Sequence, residues 1–194
     1  EISECLVGSE MCIRDRFYSQ NSVHEGMVFE IEKSLSGIAH NLISIYNVLD
    51  AGDFSQKDDR VYKGETEITS DYRVLDDIKN DTGADVTVFV GDERCLTTLV
   101  DKKGNRLVGS HIDKEVASQV IEDGEEYFSQ NVDVMGVRYF GYYVPIRNDE
   151  NEVVGVSFAG ESAESVNTSM RFMTQGNVTV SYTHLRAHET LANL

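Results

Sequence analysis

From Val28 the apolar positions run Val28, Ile31, Leu35, Ile38, Leu42, Ile45 and Leu49, with gaps of three and four residues alternating. A repeat of about 3.5 residues predicts a long helix whose seam packs along a second helix, in the same molecule or in a dimer mate, or else on the sheet of its own domain. The helix is expected over residues 17–50, with Ala51-Gly52 as its stop. About 30 residues of helix span ~45 Å, more than the width of a small domain, so part of it is expected to project.

The polar stretch from Asp53 to Thr69 reads as a connection. A short helix follows, entered at Ser70 or Asp71, carrying Tyr72, Leu75 and Ile78 on its apolar side and stopping near Gly83. Strand patterns then take over: DVTVFV over 85–90, CLTTLV over 95–100, and Arg106-Leu107-Val108 after a turn over 101–105. Residues 114–124, with Val116, Val120 and Ile121 on one side, predict a helix ended by Gly124. Three further strands are expected over 127–134, 137–146 and 153–159, and a polar helix leaves from Glu161. Sequential strands joined by short turns favour an α+β arrangement, an antiparallel sheet with helices on one face.

Composition narrows the function classes. The 194 residues are 40% hydrophobic and 26% charged, which suits one folded domain plus extensions. A net charge of -17 excludes a clustered basic surface of the kind that nucleic acid or anionic lipid requires, and no nucleic-acid partner is expected. No apolar run reaches the ~20 residues of a membrane-spanning helix. Cys5, Cys12 and Cys95 lack metal-site spacing, and no nucleophile elbow, zinc-protease motif or Gly-rich phosphate loop is present. Neither enzymatic activity nor a metal or cofactor is expected. Residues 1–16 and 180–194 match no folded element and resemble peptides translated from sequencing adaptors at the edges of metagenome-derived proteins; both are expected to be non-native flanks. The pair His184 and His188, at helical metal-ligand spacing, falls in the second flank and is set aside with it.

Three segments carry a family likeness: TGADVTVFVGDERCLTTLVDKKGNRLVG, VIEDGEEYFSQNVDVMG and YFGYYVPIRNDENEVVGVSFAGES. Their shared features here are Arg94, Thr98, Asp101, Gly104, Arg106 and Gly109, then Tyr139, Tyr143, Pro145, Gly155 and Gly160. Over about residues 17–179 the chain resembles the single Cache domains, PAS-like extracytoplasmic sensors of bacterial methyl-accepting chemotaxis receptors and sensor kinases. That resemblance implies a PAS-like antiparallel sheet of about five strands with a long N-terminal helix packed on one side. It further implies a helix over 17–50 continuing a missing transmembrane helix, a sensor domain over 51–162, and an exit helix over 163–179 leading to a second one. The parent would be anchored in the cell membrane with this domain outside the cytoplasm, as a homodimer through Val28, Ile31, Leu35, Ile38 and Leu42. A chemotaxis receptor is the first expectation. A histidine kinase, a cyclic-di-nucleotide enzyme or a ligand-free dimerising spacer are the alternatives.

Family ligand sites lie between the sheet and the loop and helix before its middle strands. Alternation divides Arg138–Tyr143 into two faces, with Tyr139, Gly141 and Tyr143 on one and Arg138, Phe140 and Tyr142 on the other. Tyr139 and Tyr143 are the candidate hydroxyls for a ligand, and Arg94 or Arg106 the candidate carboxylate grip. Thr98 and His111 complete the candidate set. The competing reading makes the tyrosines core aromatics and the arginines turn or surface residues, Arg106 above all; Cys95 is expected to pack as a small apolar residue. The expected ligand is a small organic molecule, an organic acid first and an amino acid second.

Overall fold

A computed structural model describes residues 2–57 and 60–169, with side chains from residue 24 onward. Helix α1 (Ile2–Leu49) begins well before the expected residue 17 and runs through a segment for which no regular element was expected. Extending a formed helix through Leu, Met, Arg and Glu costs little, because only nucleation is expensive. The flank over 180–194, with His184 and His188, and most of the exit segment lie outside the described residues.

The apolar stripe of α1 faces the chain's own sheet. Leu35, Ala39, Leu42 and Tyr46 are almost fully buried, while Val28, Ile31, Ile38 and Ile45 flank them against the same core. The residues of the expected dimer seam are therefore occupied within the chain. The centre is displaced from Ile38 and Ile45 by one residue because a flat sheet accepts a wide stripe. Small Ala39 also lets the helix approach until the buried Ser157 hydroxyl donates to the Ala39 carbonyl at 2.8 Å. Burying Leu35 and Leu42 contributes ~1.5–3 kcal/mol each.

The expected connection after α1 instead forms a small antiparallel sheet, β1 (Phe54–Lys57), β2 (Arg60–Lys63) and β3 (Thr66–Glu67). Its buried side chains are Phe54, Val61 and Lys63; the Lys63 ammonium donates to the Gly52 carbonyl and lies over the Phe54 ring. Helix α2 (Arg73–Thr82) buries Leu75 and Ile78 and ends at Gly83, whose φ of 78° is the left-handed conformation glycine adopts without strain.

The main sheet has the order β5-β4-β8-β7-β6, every neighbouring pair antiparallel. Its strands are β4 (Asp85–Val90), β5 (Glu93–Thr97), β6 (Tyr127–Val134), β7 (Val137–Arg147) and β8 (Val153–Ser162). Strand β5 starts two residues and ends three residues earlier than expected, and the expected strand at Arg106 reduces to a bridge with Val100. The expected helix over 114–124 is a short α3 (Lys114–Ala117) continued by a π turn, Ser118–Glu122. A helical stretch over 163–169 follows β8. Val86, Val88, Phe140, Val144 and Ala159 meet α1 on one face of the sheet. Phe89, Tyr143, Val156 and Phe158 form the opposite face beneath Leu99, Ile112, Val116 and Val120. The fold is α+β, with the long helix packed on one side of five antiparallel strands.

Candidate ligand-binding site

On the face away from α1 the sheet bears a cavity of about 410 Å³, within the size range of small-molecule sites. Phe89 and Arg94 line it from β4 and β5, Tyr127, Ser129 and Val132 from β6, and Tyr143 from β7. His111, Ile112, Asp113, Glu115 and Val116 close the opposite wall.

Two β-bulges aim these side chains. Phe89 stands opposite Arg94 and Val88 opposite Leu96, so Cys95 is an extra residue in β5. The extra residue sends Arg94 to the Phe89 face, while Cys95 and Leu96 both pack toward the core on the α1 side. The second bulge lies between Ser129 and Val132 of β6, opposite Phe140, and leaves Ser129, Asn131 and Val132 all on the cavity. Backbone bonds then strap the wall to the free edge of β5. Arg94 N donates to Ser110 O at 2.7 Å and Gly109 N to Arg94 O at 2.8 Å, which sets His111 at the rim. There the His111 ring lies 3.3 Å from Asp92, and both side chains are exposed.

Arg94 is the distinctive group. Its guanidinium lies 5.3 Å from the centre of the Phe89 ring, and its Nε is buried without a hydrogen-bond partner among the described residues. Burial weighs against its charge and pulls its pKa below the usual arginine value, opposed in part by Tyr143. Tyr143 is itself buried against Phe158, ring centres 4.8 Å apart, and burial raises its pKa well above the ordinary tyrosine range. Arg94 is thus a partly buried cation on the cavity lining whose guanidinium has no hydrogen-bond acceptor among the described residues.

Of the five ligand candidates, Arg94, His111 and Tyr143 come together on this cavity, whereas Thr98 and Tyr139 do not line it. Thr98 is buried in the sheet, donating to Asp85 Oδ1 at 2.7 Å and accepting from Val86 N at 3.0 Å. Tyr139 donates to Asp85 Oδ2 at 3.3 Å, and Lys79 reaches Asp85 Oδ1 at 2.5 Å. Asp85 thus gathers both candidates into a structural polar cluster. Arg106 is also structural: it holds Asp76 through two bonds of 2.8 and 2.9 Å, donates to Thr97 O and stacks 4.0 Å over Tyr72. Phe89, Tyr127 and Ser129 were missed as cavity residues, although their strands alternate clearly enough to have assigned their faces. Asp113 and Glu115 left no such signal.

Burial first, then the charge of Asp85, pushes the Tyr139 pKa up to about 12. A raised folded-state value means the contribution of the protonated phenol is complete below pH 10.0, the unfolded value, and is lost as pH rises through about 12. Tyr139→Phe is expected to cost ~1 kcal/mol at neutral pH and to reduce the alkaline loss, with ligand affinity unchanged. Urea unfolding at neutral and alkaline pH, beside a binding titration, checks both halves.

Among the described residues no helix is long and apolar enough to cross a membrane, and no group of three metal-ligating side chains is present. The fold is similar to that of the Escherichia coli DcuS sensor domain, with a TM-score of 0.55 at 12% sequence identity, covering 75% of this chain and 98% of that one. No curated protein matches the chain. The family model described as single cache domain 3 matches residues 66–173, more than half of the sequence and all of the cavity wall. The chain therefore belongs to the single Cache domains, the ligand-binding extracytoplasmic sensor modules of membrane signal-transduction receptors.

Proposed function

We propose that this domain senses a small carboxylate-bearing molecule, which binds in the cavity with its carboxylate on the Arg94 guanidinium. The observation that carries this reading is that Arg94 lines a cavity of about 410 Å³ while its guanidinium has no hydrogen-bond or ion-pair partner among the described residues. A carboxylate supplies paired acceptors matched to a guanidinium edge. Tyr143 and His111 are the neighbouring polar groups available to the rest of the ligand. The parent receptor is read as a methyl-accepting chemotaxis protein, with α1 entering from one membrane helix and the stretch over 163–169 leading toward another.

Thermal unfolding of the chain across a panel of carboxylates, amines and purines tests the reading, because a ligand bound only by the folded state raises the midpoint. A rise confined to carboxylate-bearing compounds is expected. A rise confined to purines or amines would refute the Arg94 assignment, and a flat panel would favour a spacer without ligand.

A further inference from the structure

We propose that the end of the main sheet from which both helical connections leave rests on a phospholipid surface, with the β6–β7 turn at Met135-Gly136 entering the headgroup layer. This contact is separate from ligand binding at Arg94 and rests only on the reading of α1 and the stretch over 163–169 as connections to membrane helices.

The turn runs against local preference. Val134 pairs with Val137, so the loop has two residues, and both are left-handed, Met135 at φ 55° and Gly136 at φ 83°. Asn-Gly or Asp-Gly fills such a turn with least strain. Methionine meets a Cβ penalty there and gains little burial, since its side chain is 60% exposed and that of nearby Val137 48%. The turn also overhangs the sheet: β7 meets β8 only from Tyr139, opposite Ser162, so residues 134–138 extend past the last residue of β8.

The overhang lies where the connections leave. The stretch over 163–169 departs from the Ser162 end of β8. Toward its N-terminus α1 runs the same way: Ser157, opposite Val144, meets Ala39, whereas Tyr142, two residues nearer the turn, meets Ser36. Strand β5 also ends there, Thr97 standing opposite Thr87 near the start of β4, and is followed by exposed Val100 and the turn over 101–105. On or beside these two turns Lys102, Lys103 and Arg138 are exposed and form no ion pair among the described residues. Asp101 and Asp133 share the turns, but their carboxylates accept from the backbone, Asp101 from Lys103 N and Asn105 N, Asp133 from Gly136 N. In a chain of net charge -17, an end that joins unpaired cations to exposed apolar side chains suits phosphate headgroups above acyl chains. Three cations are too few to recruit the domain from solution. A domain held beside the bilayer by its own helices meets a high effective lipid concentration, so weak contacts suffice.

Methyl NMR of the full chain with nanodiscs of phosphatidylcholine and phosphatidylglycerol, doped with a nitroxide-bearing lipid, tests this, because paramagnetic broadening reports weak contact. The Met135 and Val137 methyl signals are expected to lose the most intensity, while those of Val48 and Leu49, exposed at the opposite end of α1, keep theirs. Met135→Asn removes the apolar side chain and suits the left-handed position, so it is expected to hold or raise the melting midpoint and to restore most of the Val137 intensity. Broadening centred on Val48 and Leu49 overturns both the contact and the orientation it rests on. Broadening of Met27 on α1 with Met135 unchanged overturns the contact and leaves the orientation standing. Undiminished broadening of Val137 in Met135→Asn, or no broadening of any methyl, also overturns the contact; the Arg94 assignment is tested separately by the ligand panel.

Discussion

Phe158→Ala is expected to lower the unfolding free energy by ~3–5 kcal/mol, read by urea denaturation. The ring is 2% exposed and lies across two glycines on adjacent strands, where a Cβ on Gly141 or Gly160 would stand 2.6 or 2.5 Å from it. Those glycines have no side chains with which to fill the space an alanine would leave, so the void persists rather than collapsing. Tyr143 rests on the same ring, and losing that floor frees a cavity residue to sink into the core. Ligand affinity is therefore expected to fall together with stability. Phe158→Leu, which refills most of the volume, should recover more than half of the loss. A cost below ~1 kcal/mol for the alanine variant would show that the sheet face closes without the ring.

Arg94→Met is expected to act in opposite directions on stability and binding. In the free protein the guanidinium is partly desolvated and makes no ion pair or hydrogen bond among the described residues; it rests against the Phe89 ring. Methionine keeps the apolar stem and discards the desolvated charge, so stability without ligand should hold or rise by up to ~1 kcal/mol. Affinity for the carboxylate ligand should fall at least ~30-fold, as expected when one partner of a desolvated charge pair is removed. Arg106→Met supplies the contrast, because both terminal nitrogens of that guanidinium are engaged with Asp76 and Thr97 and its plane lies over Tyr72. It should lose stability and retain binding. Equal loss of stability in the two variants would place Arg94 among the structural residues.

The main sheet was legible in the sequence because its strands alternate and its turns carry Gly, Asn and Asp. Strands β4 and β6 match their expected bounds, and β7 and β8 run only slightly longer. Strands β1 to β3 were not legible: only Phe54, Val61, Tyr62 and Ile68 interrupt a polar stretch without alternation, and pairing there depends on the Asp50 carboxylate, which accepts from Gly52, Glu65 and Thr66. The seam of α1 was legible as a period but not as a partner, since a heptad stripe and a sheet-facing stripe use the same residue types.

At the candidate site, alternation assigned Tyr139 and Tyr143 to one face, as observed, but could not separate a cavity residue from one four positions earlier on the same strand that meets a buried aspartate. That distinction depends on β4 standing close enough to bring Asp85 to Tyr139, a cross-strand relation that the sequence of β7 does not contain. Arg94 was identified by family likeness alone. Its orientation comes from the bulge at Cys95, and a bulge of one residue leaves no hydrophobic signature.

The central claim is that Arg94 holds the ligand carboxylate, and the most direct measurement follows the arginine Nε–H resonances by NMR while a carboxylate that raises the melting midpoint is titrated. Arg94 is expected to show the largest shift of its Nε–H, with the Arg106 signal unmoved because its terminal nitrogens are held by Thr97 O and Asp76. A ligand that saturates the protein while Arg94 Nε–H stays in place would contradict the account.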